Sequence, residues 1–208
     1  TFVEGEKRDA RMSYKGLAGY MPMLGFLFEP GLCLLDEFRE GNASPGARHV
    51  VFYQGCKQRI PSGKRIARYR ADSASWQADL INTLEADSVI WAITADQDCA
   101  VKRLIRGITE AMWSEPVVGC GYQIAETVHT MNRTKQAFRL IVKRELREVE
   151  RDLFGEERRY FYHAIASHFP MEEKGAYDVL VWHQQRGQAE NFNKELKSGF
   201  GMGQMPCG

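Results

Sequence analysis

Cysteine is scarce in this chain and scattered where it occurs. Cys33, Cys56, Cys99, Cys120 and Cys207 form no CxxC pair. That spacing suggests neither a zinc site nor a disulfide framework, and a reducing cytosol is the simplest setting. No apolar run approaches the ~18 residues a membrane helix requires, and no segment has the build of a secretory signal. Net charge is missing as well: 28 Lys and Arg against 27 Asp and Glu give +1. No global basic field therefore announces a polyanionic partner, which would have to be met by local patches. The chain has no HExxH or HxxxH pair, no GxxxxGK loop and no GxSxG elbow. These absences argue against a transition-metal site, a phosphate-cradling loop and a serine nucleophile on its usual turn.

What is present is ordinary globular material. The 208 residues are 44% hydrophobic and 26% charged, enough for a real core in one large domain or one domain with an insertion. The sequence opens at Thr1 and closes on Pro206-Cys207-Gly208, and is expected to be a piece of a longer protein. Two apolar runs between Leu17 and Glu40, split by Glu29-Pro30-Gly31, predict a hairpin. Alternation along its second strand puts Leu32, Leu34 and Asp36 on one side and Cys33, Leu35 and Glu37 on the other. Ser44 before Pro45 predicts an N-cap for a helix over 47–60 that Pro61-Ser62-Gly63 ends. Residues 64–71 predict a strand leading into Asp72, with Ser73 or Ser75 capping a helix over 76–87. A strand over 88–95 and a helix over 98–108 follow. The pattern β-β-α-β-α-β-α is an α/β layer arrangement. From 113 to 170 the texture is β-rich, with GYQIAETVHTM, AFRLIVKREL and RRYFYHAIASHF separated by polar turns. It reads as an inserted β element. Residues 171–177 are a linker to a long helix predicted over 178–201.

On that last helix His183, Arg186, Glu190, Lys194 and Lys197 are spaced 3, 4, 4 and 3 residues apart. At roughly 100° per residue they share a stripe within about 40° of Glu190, with Val181, Ala189, Phe192 and Leu196 behind. The stripe fits a solvated face held by i,i+4 pairs. Periodicity alone favours that face; the alternative is an acid presented to a phosphate backbone. Asp72 sits where a strand ends and a helix is about to begin, the place where ligands and catalytic groups gather in open α/β sheets. Two such acids from separate elements suit a hard divalent cation if they converge. Asp9, Asp36 and Asp96 are the other acids a third ligand could come from. Two basic clusters, one from Lys57 to Arg70 and one from Arg133 to Arg151, could supply salt-dependent phosphate affinity or simply line a solvated surface. Trp76, Trp91, Trp113 and Trp182 are expected in the core, as are His49 and His163.

The spacing of His183, Arg186, Glu190 and Lys197 resembles the Tyr-x2-Arg-x3-Glu-x6-Lys signature of DDE-type bacterial insertion-sequence transposases, with His in place of Tyr. RGQAENFNKELKSGFGMGQMPC at the end, RADSAS around Asp72, EFREGN at 37–42 and YKGLAGYMPMLGF near the start resemble one such family, in order, over nearly the whole chain. The resemblance implies a ribonuclease H-like α/β core with a β-rich insertion between the second and third catalytic acids. Its divisions would be 1–112 for the first part of the core, 113–172 for the insertion and 173–208 for the helix with the third acid. It implies Asp72 and Glu190 as catalytic, metal-holding acids with Mg²⁺ as cofactor and Mn²⁺ as substitute. It implies His183, Arg186 and Lys197 as DNA-binding residues, and Lys194 on the same stripe is expected to join them in neutralising phosphate charge. The partners would be double-stranded transposon-end and target DNA, met as a homodimer and away from membranes, in the bacterial cytoplasm at the nucleoid. The family's first acid, commonly in Asp-x-Asp-x-Thr, is expected upstream of Thr1, so these residues alone are expected to be inactive. The remaining alternatives are another ribonuclease H-like nuclease and a catalytically dead remnant that binds DNA.

Overall fold

The computed structural model describes residues 10–13, 16–152, 155–187, 191 and 194, with backbone only over 149–152 and 155–158. Its described residues fall into two compact units, one holding those up to Ile66 and from Gln185 on, the other spanning Ala67–Gln184. Glu190 and Lys197 lie outside the described residues.

The first unit begins with two short antiparallel strands, β1 (Arg11–Met12) and β2 (Ala18–Gly19). The predicted hairpin follows as β3 (Met23–Leu27) and β4 (Leu32–Glu37). Its alternation is not strict. Gly25 faces Leu35 but Phe26 faces Cys33, which leaves Leu34 as the extra residue of a bulge. Two residues then oppose one and the phase slips. Leu34 and Leu35 accordingly both pack on Met23, Phe52 and Cys56.

Helix α1 (His49–Gln58) supplies Phe52 and Cys56 to that core. Ser44 does not cap it. The cap position belongs to Arg48, at φ 66° and without a side-chain cap bond. Residues 45–48 form turns instead, and the buried His49 bonds through Nε2 to the Pro45 carbonyl at 2.8 Å.

The EFREGN stretch is spent on holding this unit together. Arg48 pairs with Glu37 at 3.1 Å. Arg39 donates to the Met21 and Ala47 carbonyls at 2.8 and 3.1 Å. At Gly41 a Cβ would sit 2.1 Å from the Arg11 carbonyl oxygen and 2.3 Å from that of Gly19, so no larger residue fits such a backbone approach.

The second unit is a five-stranded mixed sheet flanked by helices. Its elements are β5 (Arg68–Ala71), α2 (Ala78–Ala86), β6 (Ile90–Thr94), α3 (Cys99–Gly107), β7 (Tyr122–His129), β8 (Phe138–Asp152), β9 (Gly155–Ser167) and α4 (Ala176–Gln184). The strand order is β5-β6-β9-β8-β7. β5 and β6 are parallel and the other neighbours antiparallel. The chain is thus mixed α/β, and the β-rich run continues the sheet rather than forming one of its own.

Neither predicted serine caps α2. Ser73–Ser75 is a 3₁₀ turn and Gln77 holds the cap position without a side-chain bond. Asp98 does cap α3, accepting from the Ala100 and Val101 amides at 2.8 and 2.9 Å.

Helix α4 lies on one face of the sheet, where Val179 and Leu180 join Ala92, Ile124, Ile141, Ile165 and Phe169. Each of those two fully buried side chains is worth about 2 kcal/mol over exposure, against about 1 kcal/mol for a typical hydrogen bond. Apolar packing therefore holds α4, and its polar contacts orient it. The predicted helix over 178–201 is not continuous. α4 ends at Gln184, and Gln185 and Arg186 form a turn before helical Gly187. His183 and Arg186 are therefore not on one described helix, and Glu190 and Lys197 of the stripe lie outside the described residues. Among the described residues no helix is long and apolar enough to cross a membrane.

Candidate functional site

The carboxyl ends of β5 and β6 lie side by side, because the two strands are parallel and Ala71 is in register with Ile93. Asp72 is the first residue past β5. Its backbone is extended, at φ −80° and ψ −174°, and its Oδ1 accepts the Ala74 amide at 3.1 Å. The turn that follows is closed by the Ser75 amide on the Asp72 carbonyl at 3.1 Å. Asp72 is thereby fixed at its backbone and at one carboxylate oxygen, while the residue as a whole is exposed. Asp96, two residues past β6, is also exposed.

The last turn of α4 is bonded to this strand end. His183 is 3% exposed. Its Nε2 lies 3.0 Å from the Ala71 carbonyl oxygen and 3.3 Å from Thr94 Oγ1. A carbonyl can only accept, so Nε2 carries the proton and donates to Ala71. Arg70 Nη1 donates to the Trp182 carbonyl at 2.5 Å, and its guanidinium lies 4.9 Å from the centre of the Trp182 ring. The His163 ring stands 6.4 Å from that of His183.

Of the expected site residues, His183 is bonded to the carbonyl of Ala71, the residue before Asp72. The His183 ring is in the interior, not on the surface where a DNA contact was expected. The half-buried Arg186 and the exposed Lys194 fall in the other compact unit. Arg70 and Thr94 were not singled out as site residues beforehand. The signals for Arg70 were its place in RADSAS and at the end of the first basic cluster, and Thr94 had none.

Two members of the second basic cluster are taken up within the fold. Arg139 binds both oxygens of Glu126, at 2.5 and 2.9 Å, and donates to the Phe169 and Lys174 carbonyls. Arg144 is 4% exposed, between the rings of Trp113 and Tyr160, and binds both oxygens of Glu110. Its guanidinium holds the Glu110 carboxyl below the usual range. In the first cluster Arg68 pairs with Glu173 at 2.8 Å, whereas Lys64 and Arg65 are exposed. Trp76, Trp91 and Trp113 are core residues and Trp182 is partly buried against the core. His163 is half-buried.

Among the described residues no group of three or more His, Cys, Asp or Glu could hold a metal ion. Asp72 by itself has the chemistry a hard divalent cation takes, an exposed carboxylate held by its own backbone.

Residues 2–208 match the family described as transposase DDE domain, group 1. A search among curated proteins returned no match.

Proposed function

The chain belongs to the group 1 family of transposase DDE domains, and on that premise we propose that it serves metal-dependent cleavage and strand transfer of transposon-end DNA. The observation that carries this reading is the placement of Asp72: an exposed acid at the carboxyl end of a parallel strand pair, pinned by the Ala74 amide. Asp72 and Glu190 would hold Mg²⁺, or Mn²⁺ in its place, within a ribonuclease H-like core carrying a β-rich insertion. When bound, the ion supplies Lewis-acid activation of the attacking oxygen and charge neutralisation at the leaving oxygen. Arg186, Lys194 and Lys197 would neutralise phosphate charge on the DNA. In the first step water attacks a phosphodiester at the transposon end and the 3′-oxygen leaves as a free 3′-hydroxyl; that hydroxyl then attacks a target phosphodiester, forming a new P–O bond as the target's own 3′-oxygen leaves.

A substrate panel tests the proposal. The intact protein is incubated with Mg²⁺ and, separately, a duplex carrying the ends of the element that encodes it, an RNA–DNA hybrid and a four-way junction. Cleavage confined to the element's ends is expected. Preferential cleavage of the hybrid or the junction would replace transposition with another nuclease activity.

A further inference from the structure

We propose that His183 is a positioning residue for the Asp72 carboxylate, an inference that rests on the role given to Asp72 above. Three elements meet at its ring. It belongs to the last turn of α4, it donates to the carbonyl of the last residue of β5, and its Nε2 also lies within reach of the hydroxyl of the last residue of β6. The carbonyl it holds belongs to Ala71, whose peptide bond joins directly to Asp72. The ring is buried, so this bond is shielded from competition with water. Val179 and Leu180, on the same side of α4, are fully buried and fix the helix from which it reaches.

A second tie runs in the opposite direction. Arg70, one residue further back on β5, donates to the carbonyl of Trp182, the residue before His183. Strand end and helix end are thus laced by two bonds of opposite sense, strand side chain to helix carbonyl and helix side chain to strand carbonyl. Such support suits Asp72, because among the described residues its side chain is tied through Oδ1, to the Ala74 amide. Its direction otherwise follows the backbone that His183 holds. A neutral His183 with the proton on Nε2 suffices for this role, and no change of charge is involved.

Metal ligands lose roughly 10- to 100-fold in affinity when the groups that orient them are removed, and the same scale is expected here. The intact protein is titrated with Mn²⁺ by calorimetry, and its cleavage of element-end duplex is followed against Mn²⁺ concentration. His183→Phe keeps a ring in the space but has no N–H. It is expected to weaken Mn²⁺ binding about ten-fold or more and to raise the Mn²⁺ midpoint of cleavage in parallel, with duplex affinity unchanged. His183→Gln, whose amide can donate to the same carbonyl, is expected to recover most of the loss, which a purely space-filling role would not allow.

Unchanged Mn²⁺ binding in His183→Phe would overturn the inference. So would weaker duplex binding with an unchanged Mn²⁺ midpoint, which would make the ring a DNA contact. Should His183→Phe fail to fold, Arg70→Leu removes the opposite tie and is expected to shift Mn²⁺ binding in the same direction. A silent Arg70→Leu then counts against the inference. Asp72→Asn is run alongside. If it leaves Mn²⁺ binding and cleavage intact, the role of Asp72 itself fails. If it abolishes both while His183→Phe is silent, only the positioning role fails.

Discussion

Arg139 is a side chain whose loss should cost the second unit heavily. It satisfies both oxygens of Glu126 and two backbone carbonyls of the segment leading to α4, and its side chain is only 11% exposed beside a Glu126 at 23%. Removing one partner of such a pair leaves the other charge buried. Arg139→Ala is expected to destabilise the protein by about 3 kcal/mol in urea unfolding. Arg139→Lys should recover little, since an ammonium cannot reproduce the fork. Glu85 is the converse case. Burial is the main cause that raises its pKa above the ordinary 4.5, and the charge of the nearby His168 only partly offsets it. The folded state then holds the proton more tightly than the unfolded one, so this group's contribution to stability is present at acid pH and lost as pH rises through the raised value. Glu85→Gln is expected to raise the melting temperature at pH 7, an advantage that disappears in melts recorded below the ordinary carboxylate value of 4.5. At this scale Asp72 was legible because strand-end acids can be read from pattern. His183 was placed on a polar stripe although Ala176, Val179, Leu180 and His183 follow the 3-1-3 spacing of a buried helix face. A histidine that finishes an apolar stripe satisfies its N–H inside, and the stripe itself was the available signal.

Among elements, α3 shows a local signal that survived folding. Asp98 stands before an amphipathic run and accepts two amides of the first turn, so Asp98→Ala is expected to cost about 1 kcal/mol with α3 fraying first in hydrogen exchange. Ser44 carried a similar signal and failed, because residues 45–48 turn on themselves and α1 starts from a left-handed Arg48. The β3–β4 hairpin was legible from Pro30-Gly31, but its bulge at Leu34 was not, since it depends on Leu34 and Leu35 both packing on the core that α1 completes. The predicted helix over 178–201 is interrupted within its described part. Periodicity does not register the turn at Gln185 and Arg186.

For the whole molecule, the α/β class and the β-rich run were legible, whereas the joining of that run to the sheet through β6 and β9 was not. Strand pairing over such sequence separation is decided by tertiary packing. Membership of the DDE transposase family rests on nearly the entire chain, residues 2–208, and the proposed chemistry rests on Asp72 together with Glu190. The most direct test is single-turnover cleavage of element-end duplex by the intact protein with Mg²⁺, comparing wild type, Asp72→Asn and Glu190→Gln, with duplex affinity measured on the same samples. Both variants are predicted to lose cleavage by at least about 10³-fold, near 4 kcal/mol of transition-state stabilisation, while binding the duplex as the wild type does. Wild-type cleavage rates in either variant would contradict the assignment.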